Sequence, residues 1–237
     1  MTVHDQTIVD QAGRVKPVGS PLRFVGEQRR ALRRKGLYRN GVKRALDVTL
    51  VLLAAPVALP LILGFALALL LLEGASPFYR QDRVGRDGKI YKMWKLRSMV
   101  PDAEARLAVH LAADPAAWAE WNSTQKLKAD PRVTPLGRLL RKSSMDELPQ
   151  LWNVLRGDMS LVGPRPMMDG QQDLYPGIAY YTMRPGITGF WQVSKRNDST
   201  FAERADFDDR YDREVSLATD LRLLAATVGV VLRATGH

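Results

Sequence analysis

The stretch VTLVLLAAPVALPLILGFALALLLL, residues 48–72, decides how this chain is organised, because it contains no charged residue between Asp47 and Glu73. A straight helix of this length reaches roughly 37 Å at about 1.5 Å per residue, enough to cross the hydrocarbon core of a bilayer. The stretch begins far from Met1 and is longer than the apolar core of a signal peptide. It therefore predicts a membrane segment rather than a cleaved leader.

Two features bear on whether this segment spans the membrane. Pro56 and Pro60 each remove a backbone donor and kink a helix. Basic residues flank both ends, and the positive-inside rule places both flanks in the cytoplasm. They are Arg29, Arg30, Arg33, Arg34, Lys35, Arg39, Lys43 and Arg44 before the segment, and Arg80, Arg83, Arg86, Lys89, Lys92, Lys95 and Arg97 after it. We expect a re-entrant helical hairpin over residues 40–75, broken at Ala55 and Pro56; a proline-kinked span is the commoner structure and stays the alternative.

The composition excludes some kinds of site and indicates an anionic partner, but it does not identify that partner. A formal net charge of +10 over 237 residues calls for nucleic acid, an anionic membrane or a phosphorylated ligand. The absence of cysteine excludes disulfides, thiolate metal sites and cysteine nucleophiles. His4, His110 and His237 lie near the termini or in a charged helical stretch, which disfavours a histidine metal site.

The rest of the chain predicts an α+β protein that is predominantly helical, with one cytosolic domain over residues 76–237. Residues 1–39 are basic and interrupted by prolines, so we expect a flexible arm that meets anionic headgroups. A strand pair is expected around the turn at residues 86–88, and single helices over residues 102–125 and 217–232. The segment 217–232 is apolar enough either to be buried or to lie on the membrane.

An acidic pair, Asp146 and Glu147, allows two interpretations. Ser144 followed by Glu147 three residues later matches a capping box, in which the pair only starts a helix running from Ser144 to Leu155. Arg141 and its basic neighbours precede the pair, however, and cations beside a helix start favour phosphate binding. A carboxylate there can hold Mg²⁺ or attack an electrophilic phosphorus.

Turn segments further along supply candidate anion ligands. Prolines on both sides of Arg165 fix the backbone and reduce the entropy lost in aiming its guanidinium, although a rigid surface turn has the same sequence. Arg184, in RPGITG, repeats this arrangement less specifically. Arg196, in KRN, suits a nucleotide or phosphate as well as a solvated loop.

These segments together resemble the bacterial sugar transferases, the monotopic polyprenyl-phosphate phosphoglycosyl transferases, over about residues 41–236. They are KRALD at 43–47, YRQDRVG at 79–85, KLRSM at 95–99, RKSSMDELPQLWNV at 141–154, GDMSLVGPRP at 157–166 and RPGITG at 184–189. The chain departs from the family in having Ala55-Pro56 where many members have Ser-Pro, and Lys195 where a glycine often stands.

The resemblance implies a specific reaction. Asp146 would be the nucleophile that takes a hexose phosphate from a UDP-sugar, expels UMP and passes the phosphosugar to undecaprenyl phosphate. Mg²⁺ would be held by Asp146 and Glu147, and Glu147 would otherwise accept a proton from the lipid phosphate. Candidate phosphate and nucleotide ligands are Arg141, Arg165, Lys95, Arg184 and Arg196.

The same resemblance implies a setting for the reaction. The protein would lie at the bacterial inner membrane with its catalytic domain on the cytoplasmic face, starting exopolysaccharide or related glycan synthesis. Membrane lipids are then partners and nucleic acid is not. UDP-glucose and UDP-galactose are the expected donors, but no residue decides between them, and the sequence leaves homo-oligomer formation open.

Two rival functions stay open on the residues alone. A membrane-tethered adaptor would use its basic surface to hold anionic lipid or nucleic acid, with salt-sensitive binding and no release of nucleotide. A transmembrane glycosyltransferase would move the sugar without its phosphate and release UDP rather than UMP.

Overall fold

The computed structural model of the protein describes residues 7–9, 15–17, 36–124, 127, 129–194 and 201–232. In the N-terminal arm it describes two short strands, β1 (Thr7–Val9) and β2 (Val15–Pro17), which pair antiparallel. The rest of residues 1–35 lies outside the described residues, so the flexibility expected of the arm stays a prediction.

A long helix follows the arm. A π-helical turn, Tyr38–Val42, continues directly into helix α1, Lys43–Glu73, which ends at Gly74 in the left-handed conformation (φ 65°). Among the described residues it is the one helix that is long and apolar enough, by length and composition, to cross a membrane. Helix α1 continues through Pro56 and Pro60. The hairpin break expected at Ala55 and Pro56 is therefore not confirmed and stays a prediction.

Helix α1 has a buried face and an exposed face. The buried residues recur at helical spacing, which places them on one side: Asp47, Val51, Ala58, Ala66 and Leu69. The opposite side exposes large apolar side chains, namely Leu52, Leu53, Val57, Leu59, Leu63, Leu67, Leu70 and Leu71. One face thus packs on the rest of the protein while the other presents leucines outward.

Polar contacts attach both ends of α1 to the same domain. Near the start, the Asp47 carboxylate accepts hydrogen bonds from Ser160 Oγ at 2.7 Å and the Leu161 amide at 3.0 Å. At the end, Glu73 Oε2 lies 3.4 Å from Arg97 Nη2. The same domain therefore contacts both ends of the helix.

The domain itself combines short strands with helices. Its strands are β3 (Phe78–Val84), β4 (Ile90–Leu96), β5 (Ser160–Val162), β6 (Met167–Met168) and β7 (Gly186–Thr188). Its helices are α2 (Ala103–Ala113), α3 (Pro115–Thr124), α4 (Pro135–Ser143), α5 (Gln150–Arg156), α6 (Ala179–Thr182), α7 (Phe190–Val193), α8 (Arg204–Glu214) and α9 (Leu217–Leu232), with 3-10 turns at Arg86–Gly88, Met145–Glu147 and Gln172–Leu174. The predominantly helical α+β class is confirmed.

The expected strand pair is present. Strands β3 and β4 form an antiparallel hairpin, with Phe78 opposite Leu96, around the turn at Arg86–Gly88. Strand β3 also pairs with β6, so that Arg83 lies opposite Met168, two residues after Pro166. This second pairing brings the end of β3, close to the hairpin turn, next to the Pro-Arg-Pro turn.

Strands β5 and β7 pair in parallel, and glycines let them do so. A Cβ atom placed on Gly186 would lie 2.1 Å from the Gly163 amide nitrogen, closer than any side chain tolerates. The loops that carry Arg165 and Arg184 can therefore run side by side only because both positions lack side chains.

The helix expected over residues 102–125 is two helices instead. Helix α2 ends before Asp114, whose side chain accepts hydrogen bonds from the Ala116 amide at 2.8 Å and the Ala117 amide at 3.1 Å. These bonds cap the start of α3, with Pro115 at its first position, where a proline is best tolerated. The alanine-rich composition concealed this restart.

Candidate active site

Strand β4 carries the first site residue, Lys95, and α1 fixes that strand. Val51 of α1 packs in a buried apolar cluster with Tyr91 and Met93 of β4. Further along α1, Leu69 packs in a second cluster with Leu96. Contacts on both sides of Lys95 hold the strand against the helix, so the position of the lysine is set by packing.

Helix α4 packs against the backbone that follows β4. Thr134 caps the helix by accepting a hydrogen bond from the Gly137 amide at 2.9 Å. A Cβ on Gly137 would lie 2.0 Å from the Ser98 carbonyl oxygen, so only glycine allows this approach. One turn later, Arg141 Nε donates to Ser98 Oγ at 2.8 Å, which fixes the guanidinium beside the strand end.

The capping-box interpretation of the acidic pair is wrong. Ser144 has a φ of 58°, ends α4, and makes no side-chain capping hydrogen bond. Residues Met145–Glu147 form a separate 3-10 turn, and α5 begins only at Gln150. A left-handed non-glycine residue is uncommon and strained, and here it bends the chain so that the Asp146 side chain is buried.

The ammonium group of Lys95 lies close to both carboxylates of the acidic pair. Lys95 Nζ lies 2.8 Å from Glu147 Oε1 and 3.8 Å from Asp146 Oδ2. Asp146 is only 7% exposed, whereas Glu147 is partly exposed. The pair is thus asymmetric, with a buried carboxylate beside one that reaches solvent.

Opposing effects act on the pKa of Asp146. Burial raises its pKa, and the neighbouring Glu147 adds to that rise, while Lys95 and Arg141 lower it. Burial in turn lowers the pKa of Arg141, against the attraction of Asp146. An ionised carboxylate in this position is poorly solvated and held by cations, which suits a nucleophile or a metal ligand.

A small cleft open to solvent lies beside these residues. It is lined by Arg83, Met93, Lys95, Glu147, Gln150, Arg165, Pro166, Gly186, Ile187 and Gln192. Of the predicted site residues, the structure therefore brings Lys95, Glu147 and Arg165 to one cavity, with Asp146 and Arg141 beside Lys95. Cations and carboxylates facing one cleft can bind a diphosphate and act on it.

One predicted ligand is not found there, and another cannot be placed. Arg184 Nε donates to the Gly157 carbonyl at 2.8 Å, at the C-terminal end of α5, and its side chain does not line the cleft. Its phosphate-binding role stays a prediction. Arg196 lies outside the described residues.

The acidic pair can supply two carboxylate ligands to a magnesium ion. Among the described residues, no group of three or more His, Asp or Glu side chains could hold a metal. Mg²⁺ is commonly held by one or two carboxylates together with substrate phosphates, while it keeps several waters. Asp146 and Glu147 supply such a pair, and Lys95 would share Glu147 with the ion.

Sequence reasoning missed two residues of this region. Arg83 lines the cleft, whereas in the sequence it stands out only as part of the basic flank and of the family segment YRQDRVG. Arg204 begins α8, within a stretch that reads as an acidic solvated helix, and no spacing singles it out. Both lie near the Pro-Arg-Pro turn because of tertiary contacts that the spacing of residues in the sequence does not reveal.

Comparisons with known proteins agree with the resemblance. A "UDP-galactose-lipid carrier transferase" of Erwinia amylovora is 50% identical over 166 residues, covering 69% of this chain and 35% of that protein. The "Undecaprenyl-phosphate galactose phosphotransferase" of Salmonella typhimurium is 44% identical over 197 residues, covering 82% and 41% respectively. The "Exopolysaccharide production protein ExoY" of Rhizobium meliloti is 41% identical over 219 residues, covering 90% and 94%.

The chain thus spans less than half of two of these relatives and nearly all of the third. The sequence model of the family described as "Bacterial sugar transferase" matches residues 38–234, from the start of the long helix almost to the end of the chain. The chain belongs to the bacterial sugar transferase family.

Proposed function

We propose that this protein transfers a hexose-1-phosphate from a UDP-sugar to undecaprenyl phosphate, releasing UMP, through a covalent intermediate on Asp146. The observation that carries the proposal is the buried Asp146 carboxylate, flanked by Lys95 and Arg141. The names of the Erwinia and Salmonella relatives support a UDP-sugar donor and an undecaprenyl phosphate acceptor. They favour galactose over glucose, and no described residue decides between the two.

The first step forms a bond between a carboxylate oxygen of Asp146 and the sugar-bearing phosphorus. The bond from that phosphorus to the bridging oxygen breaks, and UMP leaves with the electron pair. In the second step an oxygen of undecaprenyl phosphate attacks the same phosphorus and expels the Asp146 carboxylate. The enzyme returns to its starting form, and the product is undecaprenyl-diphospho-sugar.

Each flanking side chain has a part that follows from its position. Lys95 and Arg141 oppose the rise that burial causes in the pKa of Asp146, which favours the ionised carboxylate. Arg165 and Lys95 face the cleft where the diphosphate would lie. Glu147, the more exposed carboxylate, is placed to accept a proton from the lipid phosphate or to share the metal. Bound Mg²⁺ would offset the negative charge of the diphosphate.

The long helix supports a membrane location for this chemistry. Both ends of α1 contact one domain, at Asp47 and at Glu73, so both ends share the side on which the domain lies. The outward leucines then enter one leaflet without carrying the chain across it. We place the domain on the cytoplasmic face of the inner membrane, where UDP-sugars are available and the lipid phosphate lies at the headgroup plane.

Identifying the released nucleotide tests this function directly. The purified protein is incubated with a UDP-sugar, undecaprenyl phosphate and Mg²⁺, and nucleotides are separated by chromatography. The proposal expects UMP in equal amount to lipid-linked sugar. Release of UDP would indicate a glycosyltransferase, and no release with salt-sensitive lipid binding would indicate an adaptor.

A further inference from the structure

Beside the acidic pair, two guanidinium groups lie against one buried indole. The Arg204 guanidinium is 4.4 Å from the centre of the Trp191 ring, and that of Arg165 is 5.2 Å from it. Trp191 is only 5% exposed. Cation–π contacts of this kind position arginines without using up their hydrogen-bond donors.

A third arginine reaches the same place from the β3–β6 pairing. Arg83 Nη1 donates to the Pro166 carbonyl oxygen at 3.1 Å, immediately after Arg165, and Nη2 donates to Gln81 Oε1 at 2.6 Å. Its Nε is buried and has no hydrogen-bond partner among the described residues, and the same holds for Nε of Arg204. These two Nε atoms are enclosed by the protein, so both guanidinium groups are only partly hydrogen-bonded within it.

In the described residues, salt bridges do not neutralise the positive charges of these three arginines. In the described part of the chain, none of Arg83, Arg165 and Arg204 forms an ion pair with a carboxylate within 4.0 Å. Burial lowers the pKa of Arg204 to about 10, and repulsion by Arg165 and Arg83 contributes to that lowering. A bound anion would relieve this repulsion.

The carboxylate that acts on Arg204, Asp208, offers little compensation. Asp208 is buried, and its Oδ2 accepts a 2.8 Å hydrogen bond from the Tyr175 hydroxyl. Burial raises the pKa of Asp208 to about 7, so the group is partly protonated near neutrality. Glu147 attracts Arg83 in the open cleft, so the positive charge of the three arginines is offset only in part.

Two small cavities adjoin these groups. One is lined by Arg165, Arg204, Trp191, Phe201, Tyr175 and Tyr180, together with Met167 and Asp208. Arg165 also lines the open cleft that contains Arg83, Lys95 and Glu147. A purely structural arginine would spread its stem over apolar surface and point its head to solvent, rather than line cavities beside two like charges.

We propose that Arg83, Arg165 and Arg204 form an anion site, next to the acidic pair, that binds a phosphate monoester. This inference rests on the proposed function, which supplies two such ligands: the nucleoside monophosphate that leaves in the first step, and the polyprenyl phosphate that enters in the second. Trp191 acts as the surface that holds Arg165 and Arg204 in place.

Calorimetric binding to the full chain in nanodiscs tests the site, with UMP and a short-chain polyprenyl phosphate as separate probes. Arg83→Gln and Arg204→Gln should each weaken binding of one probe by about tenfold or more, because each removes a charge-assisted contact. Arg204→Lys should fall between them and the wild type. Arg210→Gln is the matched control, because Arg210 also lies over a ring, Phe190 at 4.7 Å, but is exposed and paired with Glu214.

The outcomes separate the two ligands and the two hypotheses. Loss of UMP binding alone assigns the site to the nucleotide, and loss of polyprenyl phosphate binding alone assigns it to the lipid. Unchanged binding of both probes by Arg83→Gln, with the wild-type melting temperature, overturns the proposal even if Arg204→Gln fails to fold. Failure of the wild type to bind either probe overturns it too. Release of UDP in the turnover assay would instead contradict the proposed function, while this binding result stands.

Discussion

Lys95 donates a 2.8 Å hydrogen bond to Glu147 while its ammonium also lies 3.8 Å from Asp146. A single cation thus couples the two carboxylates, and the strand that carries it is fixed by packing against α1. Helix α1 and the acidic pair are consequently parts of one packed unit. Substitution of Lys95 should change the reactivity of Asp146 more than it changes the stability of the fold.

Lys95→Gln should move the acidic limb of the pH profile of kcat/KM to higher pH. Burial raises the pKa of Asp146, and Lys95 opposes that rise, so removing the ammonium raises the pKa further. Because the ionised carboxylate is the attacking form, activity would be lost first at the acidic end. Lys92→Gln is the control, since Lys92 lies on the same strand and pairs with Asp82 on the surface. An acidic limb at the wild-type position in Lys95→Gln would contradict this assignment.

Ser144→Gly should stabilise the protein by up to about 1 kcal/mol, because glycine adopts a left-handed backbone without strain. The φ of 58° at Ser144 and the absence of a side-chain cap are the basis for this sign. Thermal unfolding of the detergent-solubilised protein measures it. A capping role for Ser144 would give the opposite sign, a loss of a few tenths of a kcal/mol.

Asp208 should make the protein less stable as the pH rises from about 4 to about 7. Burial raises the folded-state pKa to about 7, whereas the unfolded chain has an ordinary aspartate value of about 3.9. The folded state therefore binds more protons in this window, and the free energy of unfolding falls until the group is ionised in both states.

The variant Asp208→Asn isolates this effect, because asparagine keeps an acceptor for the Tyr175 hydroxyl. The difference in melting temperature between variant and wild type should grow in favour of the variant as pH increases across the window. A difference that does not depend on pH would show that Asp208 is ionised throughout.

Cysteines placed on the two sides of α1 should respond alike to labelling from outside. The chain has no cysteine, so Ser20→Cys and Ser76→Cys each introduce a single reactive group. Because both ends of α1 contact one domain, neither variant should react with a membrane-impermeant maleimide in spheroplasts, and both should react after lysis. Labelling of Ser20→Cys from outside, with Ser76→Cys protected, would establish a simple span.

Local patterns were enough to predict some of this structure. Alternating residues around the turn at Arg86–Gly88 predict the β3–β4 hairpin, and the apolar run 217–232 predicts α9 with the bounds that the structure shows. Basic residues before Asp146 indicate its electrostatic environment, which Lys95 and Arg141 supply.

Other features depended on contacts that sequence spacing does not reveal. Ser144 satisfies the capping-box pattern, but the Ser98 backbone fixes α4 at Gly137, and the chain turns at Ser144 instead. Arg204 is 39 residues from Arg165 along the chain, and only Trp191 brings the two together. Tertiary packing therefore decided both the turn and the arginine cluster.

The covalent role of Asp146 is tested most directly by mass spectrometry of the protein incubated with a UDP-sugar and Mg²⁺ but no lipid acceptor. The account predicts an added hexose phosphate on the peptide containing Asp146, with UMP released in equal amount, and no adduct in Asp146→Asn. Addition of undecaprenyl phosphate should discharge the adduct into lipid-linked sugar. Lipid-linked product formed at the wild-type rate by Asp146→Asn, or without any adduct at that peptide, would contradict the account.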